Sequence, residues 1–302
     1  MKRRAYTLIE TLVVFAVIGL IVALVSSAVS RVRQLANEIS CKAKMKQISL
    51  ASQNYHETYS HFPPAFRSIE SRSSRPGLQW PILLSPFYEN QAALTEAKND
   101  FKVNRNPFGT PKHSGMNRVN SLFACPSDER LTTSWSVPFM TVRPRESMRL
   151  DAVFNSYLAC SGTTSSAKDG VTFVDSKVAI IAVLDGTSNT ILYGERPPDV
   201  GMSYGLLYAG FGQDLMTGSL DSVIGIREPN QTQTYRNCGP GPFSFSAHTM
   251  QDKCSLFHFW SPHTGGANFA FADGSVRFLR YSANDIMPAL ATRAGGEAVT
   301  VD

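Results

Sequence analysis

The chain is 302 residues long, 43% hydrophobic and 18% charged, with a formal net charge of +5. That is enough for one large domain or two small ones around a real core, and it is not the composition of a disordered chain, a collagen or a polytopic membrane protein. Five cysteines are too sparse for a disulfide-dense mini-domain. Lys2, Arg3 and Arg4 stand together at the start, so loss of residues 1–5 would lower the charge from +5 to +2. No Lys/Arg patch interleaved with aromatics remains, which argues against nucleic acid as a partner.

Residues 12–25 carry no polar side chain, and Tyr6–Val29 holds a single charge, Glu10. A bilayer core needs about 20 apolar helical residues, so this segment is long enough to span one. Three bland readings compete. A cleaved secretory signal would have a shorter apolar run and a small-residue site such as Ser26–Ser27–Ala28. An ordinary single-pass anchor explains everything except Glu10. A buried helix of a soluble protein is a poor match to so long an apolar run. A carboxylate at the centre of a membrane helix costs about 2.5–3.5 kcal/mol. Glu10 lies about one turn inside the apolar segment and calls for a cation beside it.

Lys2–Arg3–Arg4–Ala5–Tyr6–Thr7–Leu8–Ile9–Glu10 resembles the class III signal of type IV prepilins and pseudopilins. The resemblance implies cleavage between Ala5 and Tyr6 by a membrane prepilin peptidase and methylation of the new amine on Tyr6. It also implies pairing of Glu10 with the terminal amine of a neighbouring subunit. Ala5 stands where that family usually has Gly, and Tyr6 where it usually has Phe; both keep size and character. The basic residues before the span (Lys2, Arg3, Arg4) are fewer than those soon after it (Arg31, Arg33, Lys42, Lys44, Lys46). The positive-inside rule alone would therefore place the N-terminus outside. The resemblance places it in the cytoplasm.

Residues 31–60 continue as a helix without Pro or Gly. Val32, Leu35, Ile39 and Ala43 form one stripe; Cys41, Met45, Ile48, Ser52, Tyr55 and Tyr59 form a second, whose plain reading is core packing. Pro63–Pro64 is expected to end the helix. Residues 61–77 read as a loop, 88–98 as a short helix, and 101–120 as a polar loop with Pro107 and Pro111. From residue 121 short apolar runs between Gly, Pro, Asn and Asp read as strands and turns. In 267–279, Asp273–Gly274 reads as a two-residue hairpin loop. Phe271 would then oppose Val276 and Phe269 oppose Phe278 on one face, with Asn268, Ala270, Ser275 and Arg277 on the other. Residues 178–195 read as a second strand, turn and strand, with Asp185–Gly186 in the turn.

The head resembles the prepilin-type processing-associated domain marked by His, nine residues, then Asp-Gly (domain of unknown function 1559). His263 and Asp273–Gly274 have that spacing. Matching pieces include Cys41 to Leu50, Asn54–Tyr55–His56, Phe62–Pro63–Pro64, Cys125–Pro126–Ser127–Asp128, residues 185–190 with Glu195, and Ala289 to Glu297. The resemblance implies an architecture and a secretion route, not a biochemical role.

His263, Asp273, Asp185 and their glycines Gly274 and Gly186 are either turn residues or ligands; a lone His and a turn Asp are more often structural. Zinc would want further His/Cys ligands at short spacing, which is absent, so no metal is assigned. Calcium is the cofactor option left open, through loop residues Asp169, Asp175, Asp185 and Asp199, although no EF-hand pattern occurs. There is no nucleophile elbow and no phosphate loop, so no catalytic residue is assigned. Cys238 and Cys254 are the best local disulfide pair; Cys41 with Cys125 would tie helix to head, and one of the five thiols must be left over.

The expectation is an α+β, pilin-like fold, with a long N-terminal helix on a mainly antiparallel sheet. Its segments would be a leader (1–5), a transmembrane helix (6–30), the helix continuing (31–60) and an extracytoplasmic head (61–302). The expected function is a single-pass inner-membrane, prepilin-like or pseudopilin-like subunit or surface protein. It would be served by a type II secretion or type IV pilus system, with prepilin peptidase and other pilin-like subunits as partners and a periplasmic or cell-surface head. A minor, filament-capping role is one form of this. The alternatives are an anchored binding module that does not polymerise, using loops around Trp135 or Trp260, and an extracytoplasmic metal-dependent enzyme.

Overall fold

The computed structural model describes residues 7–68, 76–140, 147–202, 204–211, 222–230 and 236–297. One helix, α1 (Leu8–Tyr59), runs unbroken for 52 residues, about 78 Å at 1.5 Å per residue. It starts in a capping box: Glu10 N–H donates to the Thr7 hydroxyl while the Glu10 carboxylate accepts from Thr7 N–H. It stops at Ser60, which turns left-handed (φ 60°) and donates its N–H to His56 O, so termination precedes Pro63–Pro64 by three residues.

The strands in chain order are β1 (Phe66–Ser68), β2 (Pro76–Gln79), β3 (Trp135–Met140), β4 (Ser147–Ala152), β5 (Tyr157–Cys160) and β6 (Ile191–Glu195). They continue with β7 (Ala209–Phe211), β8 (Val223–Ile224), β9 (Arg227–Glu228), β10 (Phe243–Ser244), β11 (Gly266–Phe271) and β12 (Val276–Arg280). Among the described residues the further α-helices are α2 (Trp80–Leu83), α3 (Gln91–Val103) and α4 (Met287–Ala291). The central sheet has the order β12-β11-β6-β5-β8, antiparallel except for β5 with β8. A smaller sheet joins β1, β2 and β7, and β3–β4 and β9–β10 are two-stranded. The fold is α+β with a long N-terminal helix on antiparallel-rich sheets.

The central sheet is covered on both faces, and α1 packs across β11 and β12. Cys41, Met45, Ile48, Ser52 and Tyr55 are all buried, while Tyr59 ends the stripe half-exposed. Burying each of the large apolar members of that stripe is worth about 1.5–3 kcal/mol. Tyr193 and Ala270 meet this face, and Ser52 and Tyr193 hydroxyls share a 2.9 Å hydrogen bond. Leu158, Cys160, Ile191, Phe269 and Phe271 fill the opposite face against α4 and the Phe257–Phe259 segment.

Two sequence expectations are corrected here. Ala270 pairs with Val276, Phe269 with Arg277 and Asn268 with Phe278, one residue off the expected register. The loop holds three residues rather than two. Phe271 N–H donates to Ser275 O, and Gly274 takes φ 85°, the left-handed position that such a loop assigns to glycine. A one-residue slip moves every side chain to the other face, so Phe269 and Phe271 point away from α1 and Ala270 and Val276 toward it. The second correction is that 178–184 is no strand: Ile180–Ala182 is a 3₁₀ turn with Ile181 and Leu184 exposed, and only β6 follows Asp185–Gly186 as a strand.

Candidate functional site

Ala5 and Tyr6, the expected cleavage and methylation positions, lie outside the described residues. Glu10 lies in the first turn of α1, exposed, with its carboxylate taking the N–H (2.8 Å) and hydroxyl (3.1 Å) of Thr7. Those local donors offset part of the cost of an acid in an apolar helix. The helix is long and apolar enough to cross a membrane, and the head covers none of its most apolar window. The uncovered face continues toward the head through Val32, Leu35 and Ile39, all exposed, opposite the buried stripe.

In the head, the motif residues gather at two separate ends of β11. At one end sit the two Asp-Gly turns. Asp273 Oδ1 accepts from Ser275 N–H (2.8 Å), and Asp273 N–H donates to Thr187 O (2.9 Å), which lashes its turn to the 185–190 segment. Asp185 accepts from Gly295 N–H (2.7 Å) and Gly296 N–H (2.8 Å), so it holds the closing segment in place. Gly186 has φ 94° in its own turn. From α1, Lys46 Nζ donates to Gly274 O and Gln53 Nε2 to Ala272 O, each at 2.6 Å. This end is a fastening between helix, turn and C-terminal segment.

His263 lies at the other end, six strand residues or about 17 Å away from the turn. His263 and Asp273, open as turn residues or ligands, therefore do not meet, and the nine-residue spacing is the length of β11 plus its flanks. His263 meets Glu195 instead. Its Nε2 lies 3.4 Å from Glu195 Oε1 and 3.6 Å from Cys125 Sγ. Cys125 is bonded to Cys41 of α1. The ligand atoms of Cys41, Cys125, Glu195 and His263 all lie within 4.8 Å of one another, and all four residues are buried. The other oxygen of Glu195 accepts from Asn268 N–H (2.7 Å) and Nδ2 (3.3 Å). Tyr157, opposite Glu195 on β5, has its phenol pKa pushed well above the ordinary value, by burial first and then by the Glu195 charge.

Among the described residues, the loop aspartates form no shared ligand cluster, and each takes local donors. Asp169 accepts from Thr163, Asp175 from Ser68, and Asp199 from Gly201 and Tyr204 N–H. Cys238 and Cys254 form the second disulfide, and Cys160 is a buried free thiol, its pKa pushed up to about 12 by burial. Trp260, which the binding-module alternative would place in a contact loop, is buried in the core; Trp135 is partly exposed and donates its Nε1–H to Arg130 O. His258 is buried apart from His263, with its ring 4.4 Å from that of His248. Sequence reasoning did not single out Glu195 as a partner of His263 and the Cys41–Cys125 pair. The signal was present only as motif pieces scattered along the chain.

Comparison with known proteins adds two family matches. Residues 1–26 match the prokaryotic N-terminal methylation motif. Residues 30–285 match a model described as a protein of unknown function, DUF1559. No curated protein and no solved structure matches the chain. The second match spans most of the sequence, and on it the chain belongs to the DUF1559 family, with the N-terminal methylation motif at the start of its long helix.

Proposed function

We propose that the chain is a prepilin-like subunit: prepilin peptidase removes residues 1–5, the Tyr6 amine is methylated, and the helices of several subunits pack side by side. The observation that carries this reading is Glu10, an exposed carboxylate one turn into an apolar helix that its own head leaves uncovered. A neighbour's terminal amine would supply the missing cation. Helix packing would also hide Val32, Leu35 and Ile39 together with the span as subunits leave the bilayer. The two disulfides fit a head on the oxidising side of the inner membrane, with the N-terminus in the cytoplasm. A type II secretion or type IV pilus system would serve the chain, and its role is structural rather than catalytic.

The test is mass spectrometry of the mature N-terminus together with Glu10→Ala. The expected mature chain begins at methylated Tyr6, and the variant loses assembly while its head stays folded. An intact Met1–Ala5 leader in cells, or unchanged filaments in the variant, would overturn the reading.

A second reading, an anchored binding head that never polymerises, draws on an open groove of about 570 Å³. Arg67, Lys98, Lys102 and Arg105 line it above Leu83 and Leu94, a setting for an anionic amphiphile. Cross-linking in intact cells separates the two: a ladder of multimers for a filament subunit, a single species for the binding head.

A further inference from the structure

We propose that Cys41, Cys125, His263 and Glu195 form a buried site for a thiophilic divalent cation of the zinc class when the two thiols are reduced, so that disulfide and metal are alternative closures of one helix–head junction.

Four distant segments bring the donors together. Cys41 comes from α1 and Cys125 from the turn after Phe123, where its N–H donates to Ser156 Oγ (2.8 Å). Glu195 ends β6, and His263 sits in the loop before β11, its N–H held by Ser261 Oγ (3.0 Å). A disulfide by itself needs neither an imidazole nor a carboxylate, and burying an acid is costly unless it is paired. The Glu195 carboxylate is aimed. Asn268 holds Oε2 through two donors, while Oε1, fully buried, takes no hydrogen bond and faces the cluster.

The spacing is that of a coordination shell. With Zn–N and Zn–O near 2.0–2.1 Å and Zn–S near 2.3 Å, a tetrahedron has N···O and N···S edges of about 3.3 and 3.6 Å. The corresponding separations are 3.4 Å for His263 Nε2 to Glu195 Oε1 and 3.6 Å for His263 Nε2 to Cys125 Sγ. The sulfurs must part to about 3.8 Å, the S···S edge of the same tetrahedron. Two thiolates, one imidazole and one carboxylate form a mixed soft and borderline donor set that suits zinc and not calcium. The asparagine behind the carboxylate is the kind of outer partner that orients a ligand. Two thiolates and a carboxylate around a divalent ion leave one excess negative charge. The half-buried Lys44, which donates to the carbonyl of Ala124 beside Cys125, stands close to it.

The interconversion balances. Binding to the dithiol releases two protons and forms two metal–sulfur bonds. A disulfide oxidant of the thiol-exchange class is attacked by one thiolate to give a mixed disulfide; the second thiolate then displaces the oxidant's sulfur. The Cys41–Cys125 bond forms, the oxidant takes the two electrons and leaves as two thiols, one per exchange step, with two protons from water, and the cation departs.

The test uses the full chain in detergent with Cys238→Ser and Cys254→Ser, so that only this disulfide is reduced. The reduced, desalted protein is titrated with Co(II) and then with Zn(II). The expected result is one Co(II) per chain, with thiolate-to-metal charge transfer and the intense visible bands of a four-coordinate site. Cys41→Ser should abolish that signature, and His263→Gln and Glu195→Gln should each weaken binding by more than about tenfold and shift the bands. The disulfide form should bind none, and oxidised glutathione added to the zinc form should release one Zn(II) per disulfide formed. Circular dichroism covers the case in which reduction unfolds the head: zinc should refold it, and only with all four donors present. The proposal is overturned if the folded dithiol takes no cobalt, if the two Gln variants bind with unchanged spectrum and affinity, or if zinc fails to refold an unfolded dithiol.

Discussion

The imidazole Nε2 of His263 lies 3.4 Å from Oε1 of Glu195, and both side chains are withdrawn from solvent where α1 is bonded to the head. Glu195 also accepts the backbone and side-chain N–H of Asn268 on the neighbouring strand. Glu195→Ala removes the acceptor of both Asn268 donors and the carboxylate that faces His263. Leaving a buried donor without its acceptor costs about 1–3 kcal/mol. Chemical denaturation of the full chain in detergent, followed by near-ultraviolet circular dichroism, should show that loss. Glu195→Gln, which keeps an acceptor oxygen, should lose less. Equal losses in the two variants would remove the pair from the account of stability.

The two disulfides close loops of very different length, with sequence separations of 84 for Cys41–Cys125 and 16 for Cys238–Cys254. In the chain-entropy picture the longer loop is worth about 4–5 kcal/mol and the shorter about 3 kcal/mol. Cys41→Ser with Cys125→Ser should therefore lower the unfolding midpoint more than Cys238→Ser with Cys254→Ser. The reverse order would place the larger effect in packing around the second pair.

His258 gives the head an acid-sensitive point. Burial, first of all, pushes its pKa down to about 4 from an ordinary value near 6.5; the neighbouring His248 and Arg196 also lower it, while Asp252 and the Phe259 carbonyl raise it. Below pH 6.5 the unfolded chain binds a proton that the folded chain refuses, so stability falls as pH drops from 6.5 to about 4 and levels off below. The full loss is about 3 kcal/mol. Denaturation midpoints measured between pH 7 and pH 4 should show the slope, and His258→Gln should flatten it.

Much of this architecture is written in periodicity. The buried stripe from Cys41 to Tyr55 keeps steps of three and four because one helix face meets one sheet face. The β11–β12 hairpin was visible from Asp273–Gly274, but its register was not. A strand buried on both faces offers no polar alternation to set the phase, and the left-handed Gly274 adds a third residue to the loop. Val178–Val183 imitates a strand by composition alone; the Phe62 N–H bond to Val178 O holds it against the helix end instead. The Glu195–His263–Cys125 cluster was hidden for a different reason. Each member is ordinary in its own segment, and only the sheet order β11-β6-β5 and the seat of α1 upon it make them neighbours.

The helix that begins in the apolar span passes without interruption into the head, where a covalent bond at Cys41 and the grips of Lys46 and Gln53 fasten it to the sheet. The rod and its cap are thus one mechanical piece. A pull on the membrane end would pass along α1 to the Cys41–Cys125 bond and to the Lys46 and Gln53 hydrogen bonds. Tension along an assembly of such subunits would reach the core of each head through its own stem.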